Sequence, residues 1–282
     1  MKLCRYGKNG FEKPGMADSE GRVRDLSKIV ENIGPNELSP RGLKMLAKIK
    51  PETLTVVGNG PRLGVPFVGI GKFIAIGLNY SDHAKEAGMA IPAEPIVFMK
   101  ATTSISGPND DVIQPKRSTK LDWEVELGIV IGSKAQYLSE AEALNAVAGY
   151  CVINDVSERA FQLATTQWDK GKGFDTAGPI GPWLVTTDEI KDPQNLDMWL
   201  DLNGKRMQTG NTRTMIFNCA QIVSHVSQYM TLLPGDVITT GTPPGVGMGV
   251  KPNPVWLKPG DVMTLGIRGL GEQKQKVVAY PG

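Results

Sequence analysis

Histidine is nearly missing from this chain, at two residues in 282, and there are three cysteines. Two histidines exclude a histidine-rich metal cluster. Cys4, Cys151 and Cys219 are odd in number and widely spaced, which argues against a disulfide framework and matches no zinc spacing. That usage fits reduced thiols in a cytoplasmic setting. Cys151 and Cys219 stand among apolar neighbours and read as core filler. A charge excess is lacking too: 31 Lys and Arg against 29 Asp and Glu leave a net +2, without a basic run. Neither a nucleic acid nor a membrane surface is implied as partner. No apolar run reaches the ~18–20 residues of a membrane span. The opening MKLCRYGKNG has no apolar signal-peptide core. Internal repeats are absent, and the PGD turns at 234–236 and 259–261 are local turn chemistry.

What is present is an ordinary 40% of hydrophobic residues, enough for a sizeable core, with 33 glycines and 20 prolines that imply many turns. Strand patterns dominate and no regular βαβ alternation occurs, so the fold class is mixed α/β and strand-rich. The Pro- and Gly-broken stretch 51–66 divides a small N-terminal α+β domain, 1–66, from a larger domain, 67–282. In the first, strands are expected at 2–6 and in a hairpin about 18–21, with short helices at 27–33 and 39–49. Nothing in it looks chemical.

The chemistry gathers around residues 121–132, LDWEVELGIVIG. Alternate side chains of a strand share a face, so Glu124 and Glu126 point one way while Val125, Leu127, Ile129 and Ile131 form an apolar stripe on the other. Like charges that close repel unless a cation or proton lies between them. A buried strand at 150–153, YCVI, ends at Asn154-Asp155, and a carboxylate there is costly unless paired. Asp155 is the natural third oxygen donor. A segment at 157–167 reads as helical and puts Arg159 and Gln162 on one face. Lys172 follows in a Gly-rich loop, 170–176, within reach of an anionic ligand or simply solvated. After the strand 72–77, Ser81 or Asp82 can cap a short helix in which His83 and Glu86 are i, i+3 neighbours. A carboxylate beside an imidazole raises its basicity, as a general base needs, although a surface His–Glu pair has the same spacing. Gly77, Gly88, Pro92 and Pro95 suit a mobile lid. The strand 237–240 delivers GTPPGVG, whose backbone N–H groups and Thr242 hydroxyl can face a carboxylate. It lacks the Lys-Ser/Thr ending of a P-loop. His225 lies in a helix reaching about residue 230, with no carboxylate near in sequence, and reads as structural. The inner face of that helix is expected to hold Ile222, Val226, Tyr229 and Met230.

Together IGLNYSDHAKE (76–86), LDWEVELGIVIG (121–132), INDVSERAFQ (153–162), KGFDTAGP (172–179) and TGTPPGVG (240–247) resemble the fumarylacetoacetate hydrolase family over residues 67–282. The resemblance implies a rolled β-sandwich catalytic domain and, often, a homodimer. It implies Glu124, Glu126 and Asp155 as ligands of a divalent metal, and His83 and Glu86 as a catalytic pair with Lys172. It places Arg159, Gln162 and Thr242, also with Lys172, against substrate. A further aspartate ligand found in some members is replaced here by Leu78-Asn79, so three protein ligands and water are expected. The N-terminal motifs Arg5-Tyr6-Gly7 and Glu12-Lys13-Pro14-Gly15 look like bacterial members described as ureidoglycolate lyases or as hydrolases of 2,4-diketo-3-deoxy sugar acids.

Three carboxylates without sulfur or imidazole suit Mg²⁺, with Mn²⁺ or Ca²⁺ as alternatives. The expected activity is hydrolysis of a C–C bond in a 2,4-diketo acid, giving pyruvate or a related 2-oxo acid. Lyase action on ureidoglycolate, decarboxylation of an oxo acid or isomerisation of a 2-hydroxy-dienoate would use the same site. A non-catalytic metal-binding protein is the alternative of another class, and His83 with Glu86 argues against it.

Overall fold

A computed structural model describes residues 1–58, 60–82 and 90–282 of the chain. Eighteen strands follow in order among them: β1 Lys2–Tyr6, β2 Lys13–Ala17, β3 Val23–Asp25, β4 Leu63–Gly64, β5 Phe73–Gly77, β6 Ile96–Lys100, β7 Ile105–Ser106, β8 Val112–Ile113, β9 Leu121–Asp122, β10 Val125–Ile131, β11 Val147–Asn154, β12 Ser157–Glu158, β13 Gly178–Thr186, β14 Asp197–Leu202, β15 Lys205–Asn211, β16 Val237–Thr239, β17 Val262–Ile267 and β18 Gly271–Val278. An eleven-stranded sheet runs β3-β2-β1-β13-β11-β10-β16-β5-β6, with β4 on β1 and β7 on β13. A five-stranded sheet runs β15-β14-β17-β18-β8, and β9 pairs with β12. The strand-rich mixed class is as the residue patterns imply.

β10 sits mid-sheet and every residue of it is buried. Its Val125, Leu127, Ile129 and Ile131 enter one core cluster. Val130 enters a second, with Phe73, Cys151 and Ile153. The strand is therefore covered on both faces, not oily on one and polar on the other. It is also shorter than expected: Trp123 and Glu124 lie between β9 and β10. The backbone N–H of Val125 is taken instead by Gln208 Oε1 at 3.0 Å.

The two expected units share this framework. β1 pairs antiparallel with β13, Leu3 opposite Leu184. Leu3, Leu26, Ile33 and Leu38 pack in the same cluster as Phe73, Val130 and Ile180. Sheet and core thus cross the boundary drawn at residue 66. The short helix expected at 27–33 is a turn: Asp25 Oδ1 accepts the Ser27 N–H at 2.8 Å, and this local bond competes with helix. The helix expected at 157–167 is confined to Arg159–Gln162 because Ser157 and Glu158 pair with β9. The helix Cys219–Tyr229 opens on a capping box between Asn218 and Gln221. Its buried face holds Cys219, Ile222, Val223 and Val226, whereas Tyr229 is exposed and meets the His225 ring edge-on at 5.0 Å. No helix among the described residues is long and apolar enough to cross a membrane.

Gly149 of β11 marks the tightest approach in the middle of the sheet. A Cβ there would lie 2.3 Å from the Val185 carbonyl oxygen of β13, an atom that moves only with the strand. Gly149→Ala is expected to cost roughly 1–3 kcal/mol or more through overpacking. A urea denaturation midpoint equal to that of the parent would contradict this packing.

Candidate functional site

The register of the central strands brings the acidic residues together. β10 pairs with β11 so that Glu126 faces Ile153 and Val125 faces Asn154. Asp155 follows directly, and its N–H donates to the Glu124 carbonyl at 2.9 Å. Carboxylate oxygens of Glu124, Glu126 and Asp155 all lie within 4.8 Å of one another. On the other side β10 pairs with β16, Gly128 opposite Thr239. This carries Gly241 alongside Glu126, and Glu126 Oε2 accepts the Gly241 N–H at 2.8 Å and the Thr239 hydroxyl at 2.5 Å. Glu126 Oε1 takes no hydrogen bond among the described residues.

Three buried cations compensate. Lys172 Nζ donates to Glu124 Oε2 at 2.6 Å and Asp155 Oδ2 at 2.7 Å. Lys100 Nζ donates to Asp155 Oδ1 at 2.6 Å and also to the Lys172 carbonyl. Arg159 donates from Nη2 to Glu124 Oε1 at 2.5 Å, from Nε to Asp122 Oδ2 at 2.9 Å and from Nη1 to Gln162 Oε1 at 3.0 Å. Asp122 is itself buried and accepts the N–H groups of Gly247 and Met248 at 2.6 and 3.1 Å. It thereby ties the GTPPGVG loop to Arg159.

The charges respond to this packing. Burial opposes the Glu124 charge, but Arg159 and Lys172 overcome it and hold the carboxyl well below the usual carboxylate range. Burial, then Asp155 and Glu124, push Glu126 well above that range. Burial also opposes the Lys172 ammonium, yet Asp155 and Glu124 keep its pKa above the ordinary value. For Lys100 burial wins and lowers it. A hard dication fits this donor set: three converging carboxylates, one with an oxygen that takes no hydrogen bond among the described residues, and a Glu126 charge that burial and its acidic neighbours oppose and a cation would favour.

Glu124, Glu126, Asp155, Arg159, Gln162, Lys172 and Thr242 line one cleft of about 120 Å³. The Thr242 hydroxyl donates to the Val125 carbonyl at 2.9 Å and accepts from Gln208 Nε2 at 2.9 Å, so it is engaged within the protein. Lys172 ends the short helix Asp169–Lys172 and is buried, not carried on an open loop. His83 and Glu86 lie outside the described residues. Asn79 is locked to backbone, donating to Phe217 and Thr240 carbonyls at 3.0 and 2.8 Å. Residue patterns missed Lys100 and Asp122. Lys100 closes a largely apolar strand, the same signal that marks Asp155, and Asp122 shares the alternation of Glu124 and Glu126.

A family model described as fumarylacetoacetate (FAA) hydrolase C-terminal matches residues 72–278. The chain is 62% identical over 277 residues to a provisionally named hydrolase of Burkholderia orbicola (strain MC0-3), covering 98% of each. It is similar to the solved fumarylacetoacetate hydrolase from psychrophilic Exiguobacterium antarcticum, with TM-score 0.89 and 36% identity over 99% of this chain and 100% of that one. It also matches the structure of 2-hydroxyhepta-2,4-diene-1,7-dioate isomerase from Mycobacterium marinum, with TM-score 0.75, 31% identity and 100% coverage of both chains.

Two outcomes follow from this geometry. In chelator the folded state holds the Glu126 proton more tightly than the unfolded chain does, so stability falls as pH rises above the ordinary carboxylate range. Added Mn²⁺ should raise the melting temperature increasingly with pH, and Glu126→Gln should remove that pH dependence. A metal-induced shift independent of pH would contradict the protonation of Glu126. Separately, a Cβ on Gly171 would lie 2.4 Å from the Gln162 backbone nitrogen. Gly171→Ala should force the two short helices apart and lower Mn²⁺ affinity by roughly tenfold or more through displaced Lys172 and Arg159; unchanged affinity by calorimetric titration would show that these helices do not set the site.

Proposed function

This chain belongs to the fumarylacetoacetate hydrolase family, and from that premise we propose that it is a divalent-metal-dependent hydrolase of 2,4-diketo acids. It cleaves the C3–C4 bond and releases pyruvate or a related 2-oxo acid. The observation that carries the reading is the convergence of Glu124, Glu126 and Asp155 beside Arg159 and Lys172, which retain free donors among the described residues. Arginine has five N–H groups and lysine three. Arg159 commits three and Lys172 two to the protein. The remainder supports binding of one substrate carboxylate and its neighbouring keto oxygen, with the Gln162 amide N–H₂ beside them. A divalent cation held by the three carboxylates, Mg²⁺ on the chemistry of oxygen donors, supplies positive charge next to the 2-oxo group when bound.

His83, oriented by Glu86, takes a proton from water, and the hydroxide attacks the C4 carbonyl. The C3–C4 bond breaks with its electron pair moving to the 2-oxo side. The acyl fragment leaves as a carboxylic acid, and C3 is reprotonated. Arg159 and Lys172 hold the head of the substrate through this change, since charge grows on the oxygens nearest them. The assembly we propose is a homodimer acting on a small 2-oxo acid.

A second reading, isomerisation of a 2-hydroxy-dienoate, is favoured by the likeness to the Mycobacterium marinum isomerase, whose name specifies a dioate. It uses the same head site but moves only a proton. Assay of acylpyruvates, 2,4-diketo sugar acids, 2-hydroxy-dienoates and ureidoglycolate, each with Mg²⁺ and with chelator, separates the reactions by product. His83→Ala is expected to lower kcat on the cleaved substrate by about 10²–10⁴-fold while leaving the melting temperature unchanged. Turnover near that of the parent would remove His83 as the base.

A further inference from the structure

We propose that the substrate of this site is a monocarboxylate whose tail, beyond the 2-oxo acid head, is uncharged and ends in an apolar group; the inference rests on the head-group reading above. The cleft has two ends of different chemistry. Its charged groups are gathered in one place: Glu124, Asp155, Arg159 and Lys172 are joined by hydrogen bonds, and Glu126 offers a carboxylate oxygen within 4.8 Å of those of Glu124 and Asp155. Gln162, Thr242, Gly77 and Gly241 also line the cleft, and the remaining wall among the described residues is made by Ile76, Leu78, Phe98, Leu163, Trp168 and Met248. No basic side chain stands among them.

This wall is built, not incidental. Trp168 lies against Gly77, where a Cβ would come within 2.4 Å of its six-membered ring, so only glycine admits the indole there. Its ring meets Phe98 edge-on at 5.3 Å between centroids. Phe98 in turn faces the Lys172 ammonium at 5.4 Å. One aromatic side chain therefore touches both the cation of the head site and the indole of the tail wall. The order of chemistry along the cleft is carboxylates and cations, then Phe98, then Trp168, with the exposed Leu163 also on the wall.

Charge counting points the same way. Asp122, Glu124, Glu126 and Asp155 against Lys100, Arg159 and Lys172 leave the ionised cluster at −1, and a dication would bring it to +1. One carboxylate neutralises that sum. A second carboxylate would have to be desolvated against Trp168 and Phe98 without a basic partner among the described residues of that wall, which is unfavourable. An alkyl end buries there without that penalty.

The test uses two acids that bind but cannot be cleaved, because they lack a carbonyl at C4. 2-Oxohexanoate and 2-oxoadipate share the head and the first three tail carbons and differ in whether the fourth is a methyl or a carboxylate. With Mg²⁺ saturating, calorimetric titration is expected to show 2-oxohexanoate bound at least about tenfold tighter, the scale on which a polar mismatch is penalised in an apolar pocket. Leu163→Lys, a change at an exposed position, should narrow or invert the preference. Trp168→Ala should weaken 2-oxohexanoate more than 2-oxoadipate. Tighter or equal binding of 2-oxoadipate by the parent protein, or no binding of either acid, overturns the proposal. Binding is read without turnover, so failure of every 2,4-diketo acid to be cleaved would remove the hydrolase reading and leave this one standing.

Discussion

Repulsion among carboxylates packed away from water is the constraint on which this structure turns. Asp122, Glu124, Glu126 and Asp155 are all buried, and ionised carboxylates are rarely so unless charges or hydrogen bonds answer them. The chain answers them from four directions. Lys100 comes from the end of β6, Arg159 and Lys172 from two short helices, and the backbone N–H of Gly241 from the loop after β16. Among the described residues Glu126 receives least, two neutral hydrogen-bond donors and no cationic one. It is consequently the member whose pKa is pushed up, by burial and then by Asp155 and Glu124, and the one with most to gain from a dication.

Holding that cluster needs a rigid frame around it. A buried chain of amides runs outward from it: Asn154 Oδ1 accepts the Glu124 N–H, Asn154 Nδ2 donates to Gln275, and Gln275 donates to Gln273. Gln273 closes the chain on the carbonyls of Val152 and Gly181. Gln273 and Gln275 belong to β18 of the five-stranded sheet, whereas Asn154 and Val152 belong to β11 of the larger one. The two sheets are therefore joined by polar groups that are satisfied, next to the acidic site, and fully satisfied buried networks fix geometry in a way that apolar contact alone does not.

Much of the site was legible because burial and charge conflict visibly in a sequence. Glu124 and Glu126 flank an apolar stripe, and Asp155 closes an apolar strand. The signal was weaker where the cost was hidden. Lys100 follows PIVFM, and a lysine at a strand end reads as solvated until its carboxylate partner, 55 residues away in the chain, is known. Lys172 read as a loop residue because Gly171 and Gly173 flank it; Gly171 is glycine for another reason, since the neighbouring helix presses on it. Gln208 carried no signal, since its task is to replace a strand partner for Val125 at a break that alternation does not reveal. Tyr229 faces solvent, against its helical spacing, for the opposite reason: helical periodicity continues past the point where the packed face ends.

The arrangement of the short helices gives the cleft a mechanical unity. Arg159–Gln162 and Asp169–Lys172 carry the basic side of the head site. The connection between them carries Leu163 and Trp168 of the tail wall. The helices meet at Gly171 and the Gln162 backbone, and Trp168 is seated on Gly77 at the end of β5. A ligand tail that moved Trp168 would thus pull on the same fourteen-residue stretch, 159–172, that holds Arg159 and Lys172 against the carboxylates. Tail recognition and head-group alignment are consequently not separable terms in this fold. A tail that fits the aromatic wall leaves the cations where the acidic cluster needs them, and a tail that does not fit is penalised at the reacting end as well as at its own.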